Sequence, residues 1–146
     1  MHRSRRRRRT CRIVMVDPHD DSRELYAAYF KWAGVHVTAV PLSVDALRVM
    51  RGRAPDAVIT CLRLPGMDGF ELSDAIRAMP ETSRTPVIAF STCLPEHLLA
   101  LRDRRFAAVL MKPCLPETVL KSLRRVLRRR SRTMELSGPA ASVRPD

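Results

Sequence analysis

The sequence predicts a doubly wound α/β domain built on five parallel strands. Five short apolar segments, rich in β-branched residues, recur along the chain at lengths typical of strands buried in a parallel sheet. The segments between them carry apolar residues at helical spacing. This regular alternation of strand and helix is the pattern of a sheet covered by helices on both faces.

The first half of the chain supplies two strands and two helices. Residues 12–17 (RIVMVD) form an apolar strand that ends in an acid. An amphipathic helix follows, for which Asp21 or Ser22 is the predicted amino-terminal cap. Residues 35–40 alternate as a second strand, and Ser43 is predicted to cap a short second helix.

The central strand is predicted over residues 57–61, within the sequence PDAVITCLRLPGMDG. A loop rich in proline and glycine follows it, and apolar residues then return at helical spacing from Phe70. Ligands of open α/β sheets bind at the carboxyl ends of the strands. We therefore expect Cys61 and the loop after it to belong to the functional site.

The second half continues the alternation. Residues 86–91 (PVIAFS) and 107–111 are predicted as the fourth and fifth strands. A helix lies between them, with its inner face assigned to three leucines: Leu98, Leu99 and Leu101. The last helix begins near Pro116 and combines an apolar stripe with a basic one. Four polar residues then close or directly follow strands at one edge of the sheet: Asp17, Cys61, Ser91 and Lys112.

Charge divides the chain into a near-neutral domain with two basic ends. Residues 1–10 and 121–132 together hold thirteen arginines and lysines and no acid, so the net charge of +12 leaves the remainder one charge negative. We predict a disordered basic arm over residues 1–10, a domain over residues 11–130 and a disordered tail over residues 131–146. The basic ends fit an anionic partner such as nucleic acid, an acidic protein or a membrane surface, but a solubilising tail and a solvated helix face are the favoured interpretation, because no aromatic residues interleave with the charges.

Four scattered cysteines and the absence of long apolar segments place the chain in a reducing compartment. The cysteines form no Cys-x-x-Cys pair, and no window of 18 apolar residues could span a membrane. We therefore predict a cytoplasmic protein with free thiols and no membrane span. No hydrolase triad or phosphate-binding glycine loop is present, so the sequence predicts neither an enzyme nor a bound cofactor.

Three motifs resemble the receiver domain of two-component response regulators. They are PDAVIT-x-LRLPGMDGFEL, PVIAFST and LMKP, in that order along residues 11–130. The resemblance implies a flavodoxin-like strand order of 2-1-3-4-5, a cis peptide before Pro113, and an aspartate that is phosphorylated beside Mg²⁺. Histidine kinases and output proteins are the partners that the family implies.

The functional residues of the family transfer only in part. Ser91 matches the switch hydroxyl, Lys112 the lysine that pairs with the phosphoryl group, and Asp17 the first of two acids. The second acid is replaced by Pro18, and the acceptor aspartate falls on Cys61. In a separate departure, Val109 occupies the place of a rotating aromatic residue.

These departures predict a receiver that has lost phosphotransfer. Magnesium prefers hard oxygen ligands, and Asp17 remains as its one weak candidate. An acyl phosphate requires a carboxylate, which Cys61 lacks. Asp56 lies about 16 Å from Cys61 by strand rise and cannot replace it. With the acceptor gone, an ion pair between Asp17 and Lys112 is favoured over an anion site at Ser91 and Lys112.

The leading hypothesis is therefore a pseudo-receiver of a phosphorelay pathway that acts by binding partner proteins. One alternative is non-specific nucleic-acid binding through the basic arm and the last helix. A second alternative is a thiol sensor or soft-metal site formed by Cys61, Cys93 and Cys114, with His19 nearby and Lys112 lowering a thiol pKa.

Overall fold

Five strands and five helices alternate along residues 9–136, which are the residues that this computed structural model describes. In chain order they are β1 (Arg12–Val16), α1 (Asp20–Trp32), β2 (His36–Val40), α2 (Ser43–Gly52), β3 (Ala57–Cys61), α3 (Gly69–Ala78), β4 (Val87–Ser91), α4 (Leu94–Arg102), β5 (Ala108–Met111) and α5 (Pro116–Leu136). All neighbouring strands pair in parallel, in the order β2-β1-β3-β4-β5. The predicted fold class and strand order are confirmed.

The sheet is most deeply buried at its centre. Every residue of β3 and β4 is buried, whereas β2 at one edge and β5 at the other are only partly covered. This gradient explains why the central strands are mostly apolar, with β-branched residues at half of their positions. The register aligns Val16 with Thr60 and Ser91 with Met111, so the strands end together along one edge.

Helices cover both faces of the sheet. Right-handed crossovers in this strand order place α2, α3 and α4 on one face and α1 with α5 on the other. Contacts between α1 and α5, and between α2 and α3, agree with that arrangement. The largest fully buried side chains come from both layers and from the sheet between them: Phe30, Phe90, Ile13, Met15, Met50, Ile59, Leu72, Ile76, Ile88 and Leu123.

The predicted inner face of α4 is wrong. Leu98, Leu99 and Leu101 are 50%, 65% and 56% exposed, and Ala100 is the buried residue of the helix. Because Ala100 is small, α4 can approach β4 and β5 closely when this residue faces the sheet. In that rotational orientation of the helix, the three leucines point outward. Three leucines within four positions do not define a single helix face, so the sequence pattern left that phase open.

Two predicted helix caps are also wrong. Residues His19 and Leu42 occupy the cap positions of α1 and α2, and neither side chain caps the helix. The Ser22 hydroxyl instead donates to the Asp17 carboxylate, and the Ser43 hydroxyl donates to the Met67 carbonyl at 2.9 Å. These serines serve tertiary contacts that local sequence does not reveal. By contrast, Asp68 caps α3 through a capping box.

The last helix is longer than predicted. Residues 131–136 continue α5 and are exposed along their whole length, so the predicted disordered tail begins too early. The Thr133 hydroxyl donates back to the Arg129 carbonyl at 3.0 Å within this extension. Residues 1–8 of the predicted arm and 137–146 of the predicted tail lie outside the described residues, and Arg9 and Thr10 form no regular secondary structure. Within residues 9–136, no helix has both the length and the apolar content to cross a bilayer.

Candidate functional site

The four predicted site residues meet at the carboxyl edge of the sheet. Asp17 directly follows β1, Cys61 ends β3, Ser91 ends β4, and Lys112 directly follows β5. Asp17, Cys61 and Ser91 are buried. The parallel sheet brings these residues together from positions far apart in the chain, as the motif spacing predicted.

A buried ion pair forms the centre of this edge. The ammonium Nζ of Lys112 lies 2.6 Å from Oδ2 of Asp17, whose side chain is completely buried. The Ser22 hydroxyl donates to the same carboxylate oxygen at 2.7 Å and accepts from Lys112 at 2.7 Å. The backbone amide of His19 donates to the second oxygen, Oδ1, at 2.9 Å. The ion pair favoured by the sequence is therefore present, and both carboxylate oxygens already have partners.

Apolar and aromatic groups surround the lysine. Its Nζ lies 5.3 Å from the ring centroid of Phe90 and 5.9 Å from that of Tyr26. The Tyr26 hydroxyl donates to the Cys114 carbonyl at 2.5 Å, and the Lys112–Pro113 peptide is cis, as the resemblance implied. The lysine side chain is only 13% exposed, so its charge depends on the protein rather than on water.

Hydrogen bonding overcomes burial in setting both pKa values of the pair. Burial acts to raise the pKa of Asp17, but hydrogen bonds from Lys112, Ser22 and the His19 amide outweigh it, so the pKa is lowered. Burial acts to lower the pKa of Lys112, but the hydrogen bond to Asp17 and the charges of Asp17 and Cys61 together outweigh that effect, so the pKa is raised. Both groups therefore stay charged through the neutral range.

The Cys61 thiol lies beside this pair in a protected position. Burial, with the Asp17 charge adding to it, raises the pKa of Cys61 to about 12, and the opposing effect of Lys112 is smaller. Lys112 acts to lower the pKa of Cys61, as expected, but burial and the Asp17 charge outweigh it. A Cβ on Gly69 would lie 2.5 Å from the Cys61 carbonyl oxygen, so the start of α3 packs directly on the end of β3. Cys61 is a neutral thiol fixed by close packing.

Ser91 is held by a histidine that the sequence analysis did not connect to the site. Its hydroxyl lies 2.7 Å from Nδ1 of His97 and 3.3 Å from the Leu110 carbonyl oxygen. His97 belongs to α4, six positions along the chain. The signal in the sequence was a histidine one turn into the helix that follows a strand-end serine. The half-buried Val109 lies in β5 beside Ala89.

A cleft of about 650 Å³ opens beside Cys61. Its walls come from the loop after β1, the loop after β3 and the start of α4. Arg63 pairs with Glu96 across its mouth and also lies 3.5 Å from the Cys93 sulfur. Pro18 contributes a ring to the lining and no metal ligand.

The predicted cluster of thiols does not form a metal site. Within residues 9–136, no group of three or more histidines, cysteines and acids is placed to hold a metal ion. Cys93 faces Arg63, while the Cys114 sulfur lies 3.8 Å from the carbonyl oxygen of Leu115. Burial also raises the pKa values of Cys11 and Cys114.

Other acids do not complete the edge. Asp20 pairs with Arg23 at 2.5 Å, and Asp21 is exposed. Asp56 lies at the opposite edge, where its side chain accepts from the Arg12 amide at 2.8 Å. Asp17 is therefore the only carboxylate buried among the described residues of the functional edge.

Comparisons with known proteins agree with this geometry. The sequence model described as the response regulator receiver domain matches residues 13–124. Protein PilH of Pseudomonas aeruginosa is 32% identical over 119 residues, which cover 80% of this chain and 97% of that protein. The sensory/regulatory protein RpfC of Xanthomonas campestris is 31% identical over 144 residues, which cover 97% of this chain but only 19% of that protein.

A solved structure shows the same likeness. The chemotaxis response regulator CheY4 of Vibrio cholerae superimposes with a TM-score of 0.72 at 28% identity, covering 81% of this chain and 99% of that one. The residues matched by the sequence model, 13–124, include Asp17, Cys61, Ser91 and Lys112. The chain belongs to the response regulator receiver domain family and is a receiver-type signalling protein.

Proposed function

We propose that this chain is a pseudo-receiver, whose signalling state is set by binding partner proteins and not by phosphorylation. Receiver domains are in general signalling proteins rather than enzymes. In this proposal, the chain has in addition lost the ability to accept a phosphoryl group. The single observation that carries it is the buried, protonated thiol of Cys61 at the end of β3. This is the position at which the family resemblance puts the acceptor aspartate.

The chemistry of this thiol does not support an acyl phosphate. That species forms when a carboxylate oxygen attacks phosphorus, and sulfur at position 61 offers no such oxygen. A thiol attacks as its thiolate. With a pKa of about 12, Cys61 is almost entirely protonated at neutral pH, and its side chain is only 3% exposed.

The residues at this edge do not fit the magnesium ion that the family uses. Magnesium requires several oxygen ligands in octahedral geometry. Asp17 is the buried carboxylate at this edge, and its two oxygens already accept bonds from Lys112, Ser22 and the His19 amide. The side chain of Pro18 has no ligand atom, and sulfur is a soft ligand. We therefore assign no role to a metal.

The groups that would hold a phosphoryl group are held by the protein itself. Lys112 is bound to Asp17 and Ser22, and Ser91 is bound to His97 and the Leu110 carbonyl. Releasing Lys112 would leave a buried carboxylate unpaired, which is costly. Because Lys112 and Ser91 already have hydrogen-bond partners within the protein, no phosphoryl group is needed to satisfy them. This supports a binding surface whose conformation does not depend on phosphorylation.

The partners in this proposal are signalling proteins of a two-component pathway in the cytoplasm. The relatives include RpfC and the sensor histidine kinase RcsC of Salmonella typhi, of which this chain matches only 19% and 12% respectively. A histidine kinase or an output protein is therefore the partner class that we propose.

Phosphorylation by acetyl phosphate tests the proposal. The full chain is incubated with acetyl phosphate and Mg²⁺, and its intact mass is measured before and after hydroxylamine, which cleaves acyl phosphates. We expect no adduct on the wild type or on the Cys61→Ser variant. The double variant Cys61→Asp and Pro18→Asp, which supplies the two missing carboxylates, should gain a hydroxylamine-sensitive phosphoryl group. A carboxyl-linked adduct on the wild type would overturn the proposal.

A further inference from the structure

The exposed face of α5 carries a continuous stripe of cations. Six residues share this face, and we name them the basic stripe: Lys121, Arg124, Arg125, Arg128, Arg129 and Arg132. At 100° per residue they fall within an arc of about 140°, opposite the buried residues Val119, Leu123 and Val126. The stripe is about 16 Å long by helical rise.

The protein does not neutralise this stripe. Within residues 9–136, none of its six cations has a carboxylate oxygen within 4 Å, although seven other ion pairs occur in the same part of the chain. The acids Glu117 and Glu135 bound the stripe at its two ends. Six like charges on one helix face repel each other, so the stripe favours an anionic partner.

The amino edge of the sheet extends the basic surface beyond the stripe. Arg130, on the inner side of α5, donates to the Asp56 carbonyl at 2.5 Å, and Arg9 lies 3.7 Å from the Asp56 carboxylate. Arg84 joins Arg129 and Arg130 around a hollow of about 380 Å³ that no acid lines. Arg9, the last arginine of the basic arm, therefore lies at the same edge of the sheet as Arg130 of α5.

From this juxtaposition we infer that the basic stripe and the adjoining amino edge form a binding surface for the phosphate backbone of duplex nucleic acid. Five of the six cations of the stripe are arginines, whose guanidinium groups bind phosphate oxygens in pairs. A straight basic helix has the width and length to lie against a duplex, whose phosphates supply one charge about every 1.7 Å.

The surface fits a duplex better than other anions. Single strands are bound by aromatic side chains that stack on bases, and the stripe contains none. A membrane-surface helix inserts its apolar face, but that face of α5 is buried in the domain. Protein interfaces usually centre on buried aromatic or aliphatic anchors, and between Thr118 and Thr133 no large apolar side chain is exposed.

Binding through phosphates predicts strong salt dependence and no sequence preference. Affinity falls with salt at a slope of about −0.9 for each phosphate contact, so six contacts predict a slope near −5. The measurement is fluorescence anisotropy of the full chain with a labelled 20-base-pair DNA duplex between 50 and 200 mM KCl. Two unrelated duplex sequences should bind within about threefold of each other.

Two variants with equal loss of charge locate the surface. The stripe variant replaces four arginines by glutamine: Arg124, Arg125, Arg128 and Arg129. The control replaces four exposed arginines of α2, α3 and α4, on the other face of the sheet: Arg48, Arg51, Arg77 and Arg102. The stripe variant should bind at least about tenfold more weakly at 100 mM salt, with a slope less steep by about 3 to 4. The control should stay within about threefold of wild type.

Several outcomes would overturn the inference. They are a flat salt dependence, an equal loss of affinity in the two variants, tighter binding to a single strand of the same phosphate number, and competition by poly-glutamate as strong as by the duplex. Far-ultraviolet circular dichroism and urea unfolding confirm that both variants fold. Deleting residues 1–8 should reduce the slope further while leaving the effect of the stripe variant in place.

Discussion

The carboxyl edge of the sheet and the basic stripe of α5 differ in whether their charged side chains have partners of opposite charge. At the carboxyl edge, Lys112 and Asp17 form a pair at 2.6 Å inside the protein, and every oxygen of the carboxylate has a partner. At the amino edge and along α5, the basic stripe has no carboxylate within 4 Å among residues 9–136. The charged groups of the first edge are paired with each other, while the cations of the stripe have no carboxylate partner among residues 9–136.

In the two functions that we propose, this difference reverses the usual distribution of ligand binding in the fold. Ligands of open α/β sheets generally bind at the carboxyl ends of the strands. Here Asp17 and Lys112 are paired with each other at that edge, whereas the cations without a carboxylate partner among residues 9–136 lie along α5. Each of the following predictions tests one side of this comparison.

Breaking the buried pair should have the largest effect. In Lys112→Met the carboxylate of Asp17 remains completely buried without its cation, which costs about 3–5 kcal/mol of the free energy of unfolding. Urea unfolding at pH 7 measures this. The control Arg124→Gln removes an exposed cation and should change stability by less than about 0.5 kcal/mol. A loss below about 1 kcal/mol in Lys112→Met would show that the buried Asp17 carboxylate does not depend on Lys112 for its stability.

The Cys61 thiol at the same edge should lower the free energy of unfolding at alkaline pH. Its pKa rises from 9.0 to about 12 on folding, so the folded chain keeps a proton that the unfolded chain releases. The resulting stability is fully present below pH 9 and is lost as pH rises toward 12. Between pH 8 and pH 10.5, wild type should lose about 2 kcal/mol more than Cys61→Ala. Parallel pH profiles of the two proteins in urea unfolding would contradict this account.

The strands and the central ion pair could be predicted from the sequence, because the motifs show where each strand ends and which polar residue lies at that end. Apolar β-branched segments are unambiguous in a buried parallel sheet, and their polar end residues necessarily share an edge. Asp17 and Lys112 could therefore be paired from 95 positions apart. Ser22 and His97 could not, because their roles depend on the rotational phase of α1 and α4.

Helix phase also explains the other errors. In α4, three leucines suggested an inner face, but close approach to the sheet selects the small Ala100. In α5, the sequence located the basic stripe but not the end of the helix, since residues 131–136 are all exposed and bury no apolar face that a periodic pattern could reflect. The meeting of Arg9 and Arg130 at Asp56 depends on where the chain enters β1, which composition alone does not specify.

The smallest effect separates two arginines on opposite sides of α5. Arg128 is exposed on the basic stripe, whereas Arg130 is half-buried and donates to the Asp56 carbonyl at 2.5 Å. Arg130→Gln should lower the free energy of unfolding by about 1 kcal/mol through the lost hydrogen bond. Arg128→Gln should change it by less than about 0.5 kcal/mol, because that cation forms no ion pair with any carboxylate of residues 9–136. If the stripe serves a duplex, Arg128→Gln should nevertheless make the salt slope of binding less steep by about 1. A stability loss in Arg128→Gln equal to that in Arg130→Gln would mean that the stripe is held by the fold and is not free to bind.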